Sequence, residues 1–158
     1  MAATQITTYL WYDGDALDAA RFYVDLFPGS RMGEVSHYLA DTEQHPAGTI
    51  LTVEFELFGR PFAALNGGPR FPHSEAVSFQ VACETQADVD RIWDAIIARG
   101  GTESQCGWCK DRWGVSWQII PNALGRALRG LDGYDADYAF RAMMQMRRIV
   151  VADLAPRG

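Results

Sequence analysis

Ser104-Gln105-Cys106-Gly107-Trp108-Cys109-Lys110-Asp111-Arg112-Trp113-Gly114-Val115-Ser116-Trp117-Gln118-Ile119-Ile120-Pro121 puts a turn, two strands and several reactive side chains into one short stretch. Val115, Trp117 and Ile119 alternate with Ser116, Gln118 and Ile120, the period-two pattern of a strand with two different faces. Asp111 to Gly114 supplies the turn before it, and Gln118 is expected to point away from Trp117.

Working upstream, Thr102–Gln105 and Gly107–Lys110 read as two more short strands. They follow a helix with Val89, Ile92, Trp93 and Ile96 on its buried stripe. Thr85 is its N-cap, with a hydroxyl in reach of the Asp88 amide, and Gly100-Gly101 its left-handed exit. Ala76–Cys83 is the strand that leads in. The first half has the same order. Ile6–Tyr12 reads as a strand, Asp15 as the cap of a helix carrying Leu17, Ala20, Val24 and Phe27, and Pro28-Gly29 as its end. Strands over Arg31–Leu39, Thr49–Phe58 and Pro61–Asn66 follow, the last two joined by a tight hairpin at Gly59-Arg60. Two βαβββ units about 70 residues apart, Tyr9 matching Phe79, form the pattern of an internal duplication.

With 158 residues and 48% hydrophobic content, the chain is large enough to bury a proper core. Three cysteines, an odd number, and no leader pattern at Met1–Leu10 point to a reducing, cytoplasmic setting. No apolar run approaches the ~20 residues that span a bilayer, so no membrane partner is expected. A net charge of -6 with no basic stripe argues against nucleic acid. From Asn122 onward six arginines (126, 129, 141, 147, 148, 157) face four aspartates, +2 there against -8 before it, which reads as a solvated helix face. Helices are expected at Ala123–Leu128 and Asp135–Arg148, with Met143 and Met144 filling core or a subunit interface.

Tyr9-Leu10-Trp11-Tyr12, Phe22-Tyr23, Leu26-Phe27-Pro28-Gly29-Ser30, Leu65-Asn66-Gly67-Gly68-Pro69, Ser78-Phe79-Gln80-Val81, Cys83-Glu84-Thr85, Cys106-Gly107-Trp108, Asp111 through Ile119 and Ala142-Met143-Met144-Gln145-Met146 together resemble the PhnB-like branch of the vicinal oxygen chelate superfamily, the glyoxalase, bleomycin-resistance and extradiol-dioxygenase group. The resemblance covers nearly the whole chain. It implies an α+β fold in which two βαβββ modules form half-barrel sheets around a cleft, with C-terminal helices added. The expected layout is a single glyoxalase-like domain over residues 1–158, with module one at 4–68, module two at 75–121 and a helical extension at 122–150. Sequences of this branch often carry a demethylubiquinone methyltransferase label, yet no glycine-rich loop follows a strand here to hold a nucleoside cofactor.

Enzymes of the superfamily hold a divalent metal in the cleft on about three protein ligands, with open positions for two substrate oxygens. Carried onto this sequence, the ligand positions fall at Thr8, Asn66, Ser78 and Gln118, all neutral and weak donors for Zn, Ni or Fe(II). No metal or other cofactor is therefore expected. His37, His45 and His73 lack the paired spacing of a metal site. The expected ligand cleft is Thr8, Asn66, Ser78, Trp117 and Gln118, binding a small organic molecule of unknown identity in a homodimer. Whether a reaction is catalysed is left open. The alternatives are a metal-dependent lyase, isomerase or dioxygenase, and a thiol redox protein using Cys106 and Cys109. The C-x-x-C pair lies in strand and turn, away from a helix N-terminus, and reads as two incidental thiols. Glu54 and Glu56 share a strand face, where they could act as an acid and base pair or stand on a solvated edge.

Overall fold

The computed structural model describes residues 5–156, so the expected start of module one at residue 4 and Arg157 lie outside it. The chain divides between Pro72 and His73 into two compact units. Among the described residues no helix is long and apolar enough to cross a membrane.

Unit one runs β1 (Thr8–Tyr12), α1 (Ala16–Leu26), β2 (Arg31–His37), β3 (Ile50–Leu57) and β4 (Arg60–Asn66). Its sheet has the order β1-β4-β3-β2, with β1 parallel to β4 and the other pairs antiparallel. Helix α1 packs on this sheet. Tyr23, buried on α1, meets the hydroxyl of Tyr12 at 3.0 Å and lies beside the ring of Phe55. Tyr12, Leu10, Ala64, Val53 and Phe55 are accordingly the helix-covered side of the sheet, each large apolar chain contributing about 2 kcal/mol by leaving water.

Asp15 occupies the N-cap position of α1, but its side chain makes no capping bond. The cap comes from far along the chain: Asn66 Oδ1 accepts the Ala16 N–H at 2.9 Å, while its Nδ2 donates to the Ile50 carbonyl at 3.1 Å. The Leu57–Arg60 hairpin carries positive φ at both Phe58 and Gly59, the twist that a two-residue turn between right-twisted strands requires.

Unit two runs β5 (Ser78–Cys83), α2 (Gln86–Ala98), β6 (Thr102–Glu103), β7 (Trp108–Lys110) and β8 (Ser116–Pro121), in sheet order β5-β8-β7-β6. β5 is parallel to β8 and the remaining pairs are antiparallel, the same scheme as in unit one. Both sheets are open, and neither closes into a barrel. Thr85 and Asp88 cap α2 reciprocally: the hydroxyl takes the Asp88 N–H at 3.1 Å, and the carboxylate takes the Thr85 N–H at 3.3 Å.

The C-terminal segment adds α3 (Asn122–Ala127), α4 (Ala136–Met143) and a 3-10 turn at Val151–Asp153. The helix expected to reach Arg148 stops at Met143, because the following backbone is needed elsewhere. The carbonyls of Met146 and Arg147 accept the N–H groups of Cys106 and Gly107 at 2.8 and 2.7 Å. Gln86 of α2 fastens the next residues, donating to Ile149 O at 2.9 Å and accepting from Val151 N at 2.8 Å. Leu124, Ala127, Ala139, Ile149 and Leu154 close into a small core against Ile120. Arginines on this surface also form ion pairs. Arg147 pairs with Glu103 at 3.1 Å, and Arg148 with Asp94 and Asp90 at 3.0 and 3.3 Å.

Candidate functional site

Alternation along β5 and β8 sorts their side chains into two sets. Val81, Cys83, Val115, Trp117 and Ile119 are buried on one side with the apolar stripe of α2. Ser78, Gln80, Ser116 and Gln118 take the other, beside Trp108 and Lys110 of β7. Ser78 lies opposite Ser116, so Gln118 stands on its diagonal, a separation that a long amide spans. Its Nε2 donates to Ser78 Oγ at 2.8 Å. That bond leaves the carbonyl oxygen and the second amide N–H of Gln118 to offer to a ligand. Ser116 is 1% exposed, and its hydroxyl has no hydrogen-bond partner among the described residues. Lys110 Nζ donates to Glu75 at 2.6 Å, which holds the Glu75 carboxyl below its ordinary range.

The turn ahead of β8 is built on one carboxylate. Asp111, 5% exposed, accepts the N–H groups of Trp113 and Val115 on Oδ1 and the Trp117 indole N–H on Oδ2, all at 3.0 Å. Trp117, expected in the cleft, is thereby a core residue: its ring lies on the α2 side, tied to the turn and beside Phe79. The remaining two expected cleft residues lie in unit one. The register pairs Thr8 with Phe62, Leu10 with Ala64 and Tyr12 with Asn66, which puts Thr8 on the side that α1 covers. Thr7, one residue earlier, has the opposite parity and lines a different hollow. Asn66 spends both amide atoms on α1 and β3, as described above. Of the five expected residues, Ser78 and Gln118 are brought into contact, while Thr8, Asn66 and Trp117 serve the sides of the sheets that face helices.

Two hollows lie within unit one. A polar hollow of about 450 Å³ is lined by Gln5, Thr7, Arg31, Glu34, Glu54 and Glu56. Arg31 is paired with Glu56, and Glu54 is exposed, which favours the solvated edge over an acid and base pair. A second hollow, of about 440 Å³, lies under the loop that joins β2 to β3. Neither was legible in the alternation of β1, because the first is lined mainly by β2, β3 and β4 and the second largely by loop residues whose placement no local pattern records.

Cys106 and Gly107 both have positive φ, and Trp108 N donates to Gln105 O at 3.0 Å, so the C-x-x-C pair opens in a tight hairpin turn. Glycine suits position 107 because φ is +84° there and a Cβ would crowd the Ile119 carbonyl at 3.1 Å. Burial pushes the Cys109 thiol up to about 12 and the Cys83 thiol up to about 11. A thiol held protonated is the reverse of an activated one. As for a metal, the residues carried over from the superfamily's ligand positions are two hydroxyls and two amides, one amide capping a helix and the other bonded to Ser78. Among the described residues no three of His, Cys, Asp and Glu lie close enough to share an ion. This donor set does not fit a Lewis-acid site.

A sequence model of the 3-demethylubiquinone-9 3-methyltransferase family matches residues 4–120. A solved PhnB protein from Bacillus cereus is 30% identical, the match covering 75% of this chain and 99% of that one with a TM-score of 0.65. The chain belongs to this PhnB-like family. The fold recurs at lower identity in protein PA1353 from Pseudomonas aeruginosa (21%, covering 75% and 98%, TM-score 0.54) and in the fosfomycin resistance protein FosX from Mesorhizobium loti (15%, 74% and 90%, TM-score 0.51). No curated protein matches the sequence.

Proposed function

We propose that this PhnB-like protein binds a small organic ligand without a metal, on the side of the second sheet that faces away from α2. The reading is carried by the buried Ser116 hydroxyl, which lacks a partner beside the bonded Gln118–Ser78 pair. A buried hydroxyl left unsatisfied costs about 1–3 kcal/mol, and a ligand acceptor or donor that reaches it recovers that cost. The Gln118 carbonyl and the Lys110–Glu75 pair add one acceptor and one charged couple on the same side. Hydroxyls and amides in such a setting orient a polar ligand by hydrogen bonds, while the indole of Trp108 supplies apolar area.

The test starts from protein purified without chelator. Native mass spectrometry and metal analysis are expected to find a small organic molecule and no stoichiometric metal. Ser116→Ala is expected to lower retention of that molecule while the ligand-free protein melts no lower, since the change removes an unsatisfied buried hydroxyl. Stoichiometric Ni, Zn, Mn or Fe, lost in Gln118→Ala, would replace this reading with the metal-dependent lyase, isomerase or dioxygenase.

A further inference from the structure

We propose that the hollow beneath the loop of residues 38–49 in unit one binds a flat organic amine, its N–H groups meeting His45 and its ring lying against Trp11 and Tyr38. The loop is held in one shape by its own bonds. Tyr38 and Thr49 pair at its base, the Thr42 hydroxyl takes the His45 N–H at 2.9 Å, and Asp41 takes the Ala47 N–H at 2.8 Å. An ordered long loop of this kind inside a compact unit is more often a binding element than a plain connection. The open hollow beside it has about 440 Å³, with Trp11, Leu65 and Gly67 among its lining, a size that suits a small organic ligand.

Three observations select the chemistry. Tyr38 and His45 stack with ring centres 4.7 Å apart, and Tyr38 is further fixed by donating to the Asn66 carbonyl at 2.7 Å. Trp11 donates to the Gly68 carbonyl at 2.7 Å, and its indole covers Gly67 so closely that a Cβ there would fall within 2.2 Å of the ring. Both aromatic walls are thus preorganised. Second, among the described residues the buried His45 Nε2 has no hydrogen-bond partner. The Nε2 of a neutral imidazole accepts an N–H in the Nδ1-protonated tautomer, the form that an amine ligand would select. Third, Glu43 is the one acidic side chain among the lining residues, and no lysine or arginine lines the hollow. An ammonium suits the carboxylate and the aromatic faces together, whereas a carboxylate ligand would meet like charge.

Tryptamine and indole-3-acetate share a body and differ in the sign of their charge, so they serve as the probes. Amide and indole N–H shifts of Trp11, His45, Gly67 and Gly68 are followed by NMR on the full chain, with calorimetry for affinity. Tryptamine is expected to saturate these shifts and to bind at least about tenfold more tightly than indole-3-acetate. His45→Phe keeps a ring against Tyr38 and removes the nitrogen, and it is expected to weaken tryptamine at least about fivefold. Glu43→Gln, on the exposed part of the loop, is expected to narrow the gap between the two probes. Ser116→Ala leaves all of this unchanged, so failure here is distinct from failure of the function proposed for the second sheet. Equal binding of the two probes, tryptamine affinity unaltered by His45→Phe with the melt preserved, or no saturation by about 10 mM would overturn the proposal.

Discussion

Asp111 shows how one side chain can specify a turn and a core at once, since its two oxygens satisfy three donors that would otherwise be stranded. Asp111→Asn keeps an oxygen for the two backbone N–H groups but turns an NH2 toward the Trp117 indole N–H. Donor then faces donor, and a loss of about 1–3 kcal/mol in urea unfolding is expected. The same change made together with Trp117→Phe should cost less than the sum of the two, because the clash has been removed. The thiols give a pH prediction. Cys109 and Cys83 are raised in the fold from 9.0 to about 12 and about 11, so the unfolded chain ionises first as pH rises. Their contribution is fully present below about pH 9 and falls away toward pH 11 to 12. Alkaline melts of Cys109→Ala should show a shallower decline than the parent, and native alkylation at neutral pH should modify neither buried thiol. At this scale the sequence was legible where chemistry is local: Asp111 as turn former and Thr85 as cap can be read from spacing alone. Thr8 and Thr7 could not be told apart, since a single residue of extra loop exchanges the two sides of a strand.

Elements were largely recoverable, because the periods of two and 3.6 are written into the order of apolar residues. Their ends were not. Whether the last long helix stops at Met143 or runs to Arg148 depends on the amides of Cys106 and Gly107, forty residues back, whose bonds to the Met146 and Arg147 carbonyls fix the course of the backbone there. Gln86 completes that seam, and Gln86→Ala should release it: hydrogen exchange at Val151 is expected to speed up, with a stability loss of about 1–3 kcal/mol for two bonds across the chain. The hairpin turn at Cys106-Gly107 makes the opposite prediction. A non-glycine residue at positive φ is strained unless it is Asn or Asp, so Cys106→Asn should raise stability by about 1 kcal/mol while removing a thiol. A melt and a free-thiol count on the same variant check both halves.

For the whole chain, the duplicated βαβββ order was plain from the sequence, while the role of residues beyond Pro121 was not. The family model ends at residue 120, yet the segment after it carries its own core and is stitched to α2, β6 and the turn before β7. Ending the chain at Pro121 should therefore uncover Ile120 and strand the Cys106 and Gly107 amides. Loss of dispersed NMR signals from Val81, Ile92 and Ile119 is the expected outcome, and a well-dispersed spectrum of that fragment would show the segment to be dispensable. Charge alone reads the same tail as a solvated surface, since ion pairs such as Arg148–Asp94 form only once folding has brought distant residues together. A related dependence is built into the start of α1. Its first amide waits for Asn66, fifty residues downstream, and β1 waits for β4 in the same way. On a ribosome adding roughly 5–20 residues per second, that interval is about 3–10 seconds in which the nascent helix has no lid on its first turn and the opening strand no parallel neighbour. Translation speed through residues 16–66 thus becomes a quantity on which the yield of this protein in cells should depend.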